Sequence, residues 1–334
     1  MLNPLESFLA NSFLKKSNTK VHDLFNLYNV YRNNNDQKAI ENLNVYFNKV
    51  KLFEITKQIN SIPLYIDNLC IKGMSYNEIK EQKLVSIIMT AHNEQTLLPS
   101  ALSSIIDQTY KNIEIIFVDD ASSDNTTEVF ENTCRENNFS NYKIISMKKN
   151  SGPFITRNVG IKYSTGEYIT FHDADDWAHP QRIEEQVKVL EVSDKVASIS
   201  QLVRIKPNGE LFSKHIYPLN RIAMVSLMIT RKVLEELGCF YIDLLGADTE
   251  YFERIKYFYG TEKVENIKKV LTFAAHRPNS RTTSELTGTP EFGRNPLRER
   301  HWQILEDRLF EMVNGYKKYY IGFNESKYEY DIIK

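Results

Sequence analysis

The sequence predicts an α/β protein whose sheet is mostly parallel. Short β-branched runs recur from residue 84 onward, and each is followed by a stretch with apolar residues at helical spacing. Acidic residues cluster directly behind those runs, where ligands of such sheets sit. The composition is that of an ordinary globular chain. Its 334 residues are 42% apolar and 25% charged, with 42 Lys+Arg against 43 Asp+Glu and a formal net charge of -1. That balance excludes a disordered acidic tail, a collagen-like repeat and a strongly basic nucleic-acid binder, so no nucleic-acid partner is expected.

Residues 1–83 read as a helical N-terminal extension. Leu5, Phe8, Leu9, Phe13 and Leu14 fall at helical spacing, and Val30, Ile40, Leu43, Val45, Phe47 and Leu52 continue an apolar pattern around a polar NNND break. Such a stripe packs on the main domain, or its first helix docks on an assembly partner, a second copy or a membrane surface, with Lys15, Lys16 and Lys20 just beyond it. From Leu84 the pattern changes. Residues 84–90, 113–118, 142–146 and 167–172 are strand-sized β-branched runs, and the stretches between them predict helices over 97–106, 125–138 and 153–163, the last opened by Pro153. After a helix over 181–192, residues 196–203 alternate and Pro207-Asn208-Gly209 marks a turn. Strands over 224–230 and 270–275 come next. A short helix capped by Thr230 and ended by Gly238 lies between them, as does a helix from about Asp248 to Tyr259. The chain thus divides into the extension, a main domain over 84–283 and a C-terminal linker and helix over 284–334. The main domain itself divides into halves over 84–192 and 193–283.

No run approaches the roughly 18 apolar residues a membrane helix needs, and the opening MLNPLESFLANSFLKK does not match a signal-peptide pattern. Cys70, Cys134 and Cys239 are far apart, without a CxxC. Three reduced thiols and a cytoplasmic location, with peripheral attachment at the inner membrane face left open, are the expectation.

The strand ends carry the chemistry. The first run delivers Thr90, Ala91, His92, Asn93 and Glu94; the second delivers Asp119 and Asp120; the fourth delivers Asp173, Ala174, Asp175 and Asp176. Acidic clusters at one sheet edge repel unless something positive sits between them. Asp173-Ala174-Asp175 is the sharpest: two carboxylates one residue apart, on a turn after a strand, offer hard oxygens suited to Mg²⁺ or Mn²⁺ bridging to phosphates. Four carboxylates beyond that pair, Asp243, Asp248, Glu250 and Glu253, are candidates for a general base. Asp248 sits where a loop enters a helix and also suits a helix cap.

Taken together, the motifs resemble those of family 2 glycosyltransferases of the GT-A fold. The run from Leu84 to Trp177 contains VSIIMTAHNE, VDDASSDNT, a GxxxxRNxG segment and GEYITFHDADD; LLGADTE (244–250) and AAHRPNS (274–280) extend the likeness to about residue 283. The resemblance implies a Rossmann-like nucleotide-sugar-binding domain, with 84–192 as its nucleotide-binding half and 193–283 as its acceptor half, and a role for each position. Thr90 and His92, with Asn93 and Glu94, would flank the uracil and ribose. Asp120, with Asp119 beside it, would accept from the uracil N3–H. Arg157 would face the nucleotide and Asn158 would hold the loop or the ribose. Asp173 would meet the ribose or a metal-bound water, with Ala174 between it and Asp175, the metal ligand on the diphosphate. His276 would complete the metal shell or contact the diphosphate, with Arg277 or Arg281 nearby. The base would be Asp248, with Glu250 in reserve.

The activity that this resemblance implies is that of a metal-dependent, inverting glycosyltransferase that uses Mn²⁺ or Mg²⁺. It would move a sugar from a UDP-hexose or UDP-N-acetylhexosamine to a glycan acceptor in cell-surface polysaccharide synthesis. Two rivals are weighed against it. A sugar-phosphate nucleotidyltransferase needs a glycine-rich, basic loop after the first strand, and AHNEQTLLPS has neither feature. A non-catalytic binding module with a decayed site would have lost Asp173, Asp175 or Asp248, and all three are present.

Overall fold

The computed structural model describes residues 23–73, 82–213, 218–242, 245–278, 280, 283–284, 288 and 295–334. The expected first helix over residues 5–14 lies outside them. The described chain starts with helices α1 (Asp23–Tyr31) and α2 (Asp36–Lys49). The polar break between them is a helix start: the Asn35 side chain accepts from the Lys38 N–H at 3.0 Å, satisfying one of the orphan donors of the first turn. The extension is more than helical, because strands β1 (Ile55–Lys57) and β2 (Leu69–Ile71) pair antiparallel. Three-residue strands are too short to show a period in the sequence.

The β-branched runs form β3 (Val85–Ala91), β4 (Ile113–Asp119), β5 (Tyr142–Met147) and β6 (Tyr168–Asp173), all parallel and ordered β5-β4-β3-β6. Every residue of β4 is buried, the mark of a strand covered on both faces. Helices α3 (Leu98–Ile106), α4 (Thr126–Glu136) and α5 (Pro153–Tyr163) provide the connections. The chain steps outward from β3 to β5 and returns on the other side of β3 as β6. A crevice opens at that reversal, beyond the carboxyl ends of β3 and β6.

The second half completes the sheet. After β7 (Trp177–Ala178) come α6 (Arg182–Val192), β8 (Ala197–Ile205), β9 (Leu211–Phe212), β10 (Arg221–Ile222) and β11 (Met228–Thr230). Helices α7 (Arg231–Leu237) and α8 (Ala247–Tyr259), strand β12 (Val264–Ala275), helix α9 (Pro296–Val313) and strand β13 (Tyr330–Ile332) end the chain. Strand β11 runs antiparallel to both β6 and β8, and β12 runs parallel to β8. The carboxyl ends of β3, β4, β6, β8 and β12 therefore all lie at one edge. Two expectations shift. The strand expected over 224–230 begins only at Met228, because the Ser226 N–H and hydroxyl both donate to the Ala223 carbonyl and close a turn. The C-terminal segment is more than a linker and helix: β13 pairs antiparallel with β5 and covers that edge of the sheet.

Residues 23–71 brace the segment behind the acidic turn. Phe25, Leu43, Phe47 and Ile55 share one buried cluster with Val203, Leu271 and Phe273. The buried Tyr46 hydroxyl accepts from the Val270 N–H at 2.7 Å. The Phe47 ring stacks on His179 with centroids 5.4 Å apart, and His179 Nε2 lies 3.1 Å from the Phe53 carbonyl. Burial lowers the His179 pKa to about 4, so the imidazole is a neutral packing group.

That burial creates a pH dependence. The unfolded chain binds a proton at this histidine near pH 6.5, which the folded protein refuses until about pH 4. Its stability contribution is complete above pH 6.5 and is lost as pH falls toward 4, by at most about 3 kcal/mol. Urea midpoints measured from pH 7.5 to 4 should fall less steeply for His179→Gln than for the wild type. Parallel profiles would show that His179 does not carry this titration.

Candidate active site

The β3–β6 crevice is the mouth of a cleft of about 610 Å³. Registers set what faces it: Thr90 lies opposite Asp173, and Ala91 lies opposite Asp119. Beyond β6 the chain turns at once, and the Asp176 N–H donates to the Asp173 carbonyl. That turn brings one carboxylate oxygen each from Asp173, Asp175 and Asp176 within 4.8 Å of one another. Three hard oxygens at this spacing fit Mg²⁺ or Mn²⁺. In the sequence Asp176 stands out only as part of the acidic run. It is buried, and its carboxylate accepts from the Ala275 N–H at 3.1 Å. Burial first, then Asp175 and Asp173, push its pKa well above the ordinary value.

Arginines surround the cluster. Arg157, on α5, donates to Asp173 at 2.7 Å. Arg182 is fully buried beneath the turn, 3.3 Å from the His172 ring, and burial lowers its pKa to about 10 against the pull of Asp176 and Asp173. Arg277 comes directly after β12 and bridges two carboxylates, with Nε and a terminal nitrogen 3.2 and 3.0 Å from Asp175 and a short contact to Glu94. Burial raises the Glu94 pKa to about 7, with Asp175 adding to the shift and Arg277 opposing it. Burial opposes the charge of Arg277 too, but the two carboxylates outweigh it and raise its pKa.

The remaining positions divide into those that line the cleft and those that build it. Thr90, His92, Glu94, Asp120, Arg157, Asp173, Ala174, Asp175, Asp248 and Glu250 all line it. Asp120 accepts from the Ser151 and Gly152 N–H groups at 2.7 and 2.8 Å, and His92 Nδ1 contacts the Asp120 carbonyl at 2.8 Å. Asp119 and Asn158 are buried behind the lining, and Asn93 is exposed beside it. Asn93 adopts φ 56° and its side chain accepts from the Ser123 N–H, tying the first loop to the second. Asp119 accepts from the Ser122 N–H, and Asn158 exchanges two 2.9 Å hydrogen bonds with the Phe240 backbone. These three position loops.

His276 does not reach the carboxylates. Its ring packs on Phe212 with centroids 4.1 Å apart, and it is absent from the cleft lining. Consecutive side chains diverge at a strand end, so its neighbour Arg277 faces the acidic turn instead. Asp248 sits in the first turn of α8, behind Gly246 at φ 70°. Glu250 is 2% exposed and paired with Arg254 at 3.0 Å, which commits it to structure. Asp243 and Arg281 lie outside the described residues. The sequence gives no sign of the α9 contribution to the cleft, from Arg298, Trp302 and Arg308 among others; nothing in the local pattern of that helix marks a site.

Residues 86–245 match the family described as Glycosyl transferase family 2. Over 164 residues the chain is 32% identical to an uncharacterized glycosyltransferase of Rickettsia felis, covering 46% of this chain and 27% of that one. Over 120 residues it is 36% identical to the UDP-Glc:alpha-D-GlcNAc-diphosphoundecaprenol beta-1,3-glucosyltransferase WfaP of Escherichia coli, covering 35% of this chain and 45% of that one. The chain thus spans less than half the length of these curated relatives. Among solved structures, the mannosyltransferase PcManGT of Pyrobaculum calidifontis in complex with GDP-Man and Mn²⁺ superimposes with a TM-score of 0.49 at 18% identity, covering 70% of this chain and 65% of that one. The likeness to glycosyl transferase family 2 thus covers residues 86–245, just under half of the chain.

The Arg277 bridge generates a prediction. A divalent cation taken up by Asp173, Asp175 and Asp176 competes with the guanidinium that holds Asp175, so Arg277→Gln should bind Mn²⁺ severalfold more tightly than the wild type. The half-exposed setting of Arg277 keeps the expected effect modest. Mn²⁺ titration without nucleotide, monitored by electron paramagnetic resonance, measures it. Equal or weaker binding by the variant would mean that Arg277 and the cation do not compete.

Proposed function

We propose that this chain is a metal-dependent, inverting glycosyltransferase. It transfers a sugar from a nucleotide sugar, a UDP-hexose or UDP-N-acetylhexosamine, to a hydroxyl of a glycan acceptor. The observation that carries the reading is the convergence of Glu94, Asp120, Asp173, Asp175 and Asp248 on one cleft at the carboxyl ends of parallel strands. The match of residues 86–245 to glycosyl transferase family 2 supports the transfer chemistry. No helix among the described residues is long and apolar enough to cross a membrane. The proposed setting is cell-surface polysaccharide synthesis at the cytoplasmic face.

On this reading Asp120 accepts from the uracil N3–H. A carboxylate has about four acceptor sites, so it can serve two backbone donors and a base N–H together. Thr90 and His92 flank the base and ribose. Asp173 and Asp175, with Asp176 behind them, would hold the divalent ion, which would supply charge neutralisation at the leaving diphosphate. Arg157 and Arg277 are placed to meet the same developing charge. Asp248 takes the proton from the acceptor hydroxyl as that oxygen attacks the anomeric carbon. The bond between that carbon and the diphosphate oxygen breaks on the opposite face, and its electron pair leaves with UDP.

Asp248 suits the base role because its environment leaves it uncommitted to any buried partner of the kind that Glu250 has. Its side chain accepts only a local hydrogen bond from the Thr249 N–H among the bonds described for it. Asp248→Asn is nearly isosteric and should keep UDP binding while lowering kcat by at least about 100-fold, the low end of general-base contributions. A panel of UDP-sugars and glycan acceptors, with products resolved by NMR, tests both the rate and the anomeric outcome. Near wild-type transfer by the variant, or a product that retains the donor configuration, would contradict the mechanism.

A further inference from the structure

Glu94 lines the cleft, yet it is not among the three carboxylates that converge on the acidic turn. Its side chain is engaged by Arg277. One terminal nitrogen of that guanidinium touches both Glu94 and Asp175, and Nε adds a second contact to Asp175 at 3.2 Å. Arg277 thus has one partner inside the cation cluster and one outside it.

The backbone on both sides of this bridge is pinned. The Glu94 N–H donates to the Thr126 hydroxyl at 2.8 Å, and the Glu94 carbonyl accepts from the Leu98 N–H where α3 begins. Just past β12, the His276 N–H donates to the Ile205 carbonyl at 2.8 Å, and the Arg277 carbonyl accepts from the Thr283 hydroxyl at 2.6 Å. What is left to change partners is the long Arg277 side chain itself. Its guanidinium carries five donors in a planar fork, enough to keep a carboxylate on one nitrogen while the others face phosphate oxygens. Asp175 has a rival use, because its carboxylate belongs to the cluster that fits a divalent ion. Glu94 has none.

Resting on the transferase reading above, we propose that Glu94 is a positioning residue for donor binding. Glu94 keeps hold of Arg277 when Asp175 is given over to the cation, and so keeps the guanidinium aimed at the donor diphosphate. The same guanidinium serves Asp175 when no cation does. Glu94 therefore acts through Arg277 and does not touch the nucleotide.

A double-mutant cycle on the full chain tests this. Calorimetry measures UDP affinity at saturating Mn²⁺ for the wild type, Glu94→Gln, Arg277→Gln and the double variant. Each single variant should lose about threefold or more, the low end for a hydrogen bond to a charged group at a half-exposed site. The double variant should lose no more than Arg277→Gln alone, because Glu94 then has nothing to position. Mn²⁺ binding without nucleotide, followed by electron paramagnetic resonance, gives a second readout. Arg277→Gln should tighten it and Glu94→Gln should not, since only the first removes the competitor for Asp175. A structural effect of Glu94 on its loop, or a direct contact with the nucleotide, would persist in the Arg277→Gln background. Additive losses of that kind would overturn the proposal, as would unchanged UDP affinity in either single variant or tighter Mn²⁺ binding by Glu94→Gln. Absence of UDP binding by the wild type removes the transferase reading itself, whereas UDP binding with additive losses removes only the role given to Glu94.

Discussion

Three carboxylates crowd into one turn after β6, and the surroundings of that turn are organised to make the crowding tolerable. At 4.8 Å or less, each ionised pair repels by roughly 3 kcal/mol or more at an effective dielectric near 20. Asp176 answers by burial, which favours its protonated form. Asp173 is held by Arg157 and Asp175 by Arg277. Arg182 supplies a buried positive charge from below, against its own desolvation. Such a turn is expensive without cations and inviting to a divalent one.

The fold serves that constraint. Parallel strands deliver acidic loops to the same edge, and the antiparallel insertion of β11 between β6 and β8 turns β8 and β12 so that their ends reach it too. Only because β12 finishes there can Arg277 reach across to Glu94 and Asp175. Residues 23–71 pack behind the same region through Tyr46, Phe47 and His179, so the extension stiffens the floor of the site. Close approach matters elsewhere in the sheet: a Cβ on Gly166 would lie 2.6 Å from the Ser86 nitrogen, which keeps the entry to β6 tight against β3.

Most of the parallel part of the sheet was legible in the sequence, because its signals are local. Buried parallel strands show as β-branched runs, and Pro153 and Gly238 mark a helix start and end where the structure has them. The acidic turns come in the chain directly after their strands. What stayed hidden depends on tertiary contact. Strands β1, β2 and β13 are three residues each, and pairing with distant partners creates them. His276 and Arg277 are adjacent, and sequence alone does not say which one faces the carboxylates. Glu250 and Asp248 stand two residues apart, and only the Arg254 pair distinguishes the structural acid from the candidate base. The α9 wall is assembled from a segment with no motif.

On the proposed reading, the acidic turn binds a nucleoside diphosphate through a divalent ion. Isothermal titration of UDP into the full chain, with Mn²⁺ and then with excess EDTA, tests it most directly, with Asp175→Ala as the matched variant. Saturable binding is expected with Mn²⁺, with a loss of at least about tenfold in affinity both in EDTA and in the variant, since the diphosphate charge would meet uncompensated carboxylates. UDP affinity that is the same with and without the ion, and unchanged in Asp175→Ala, would contradict it.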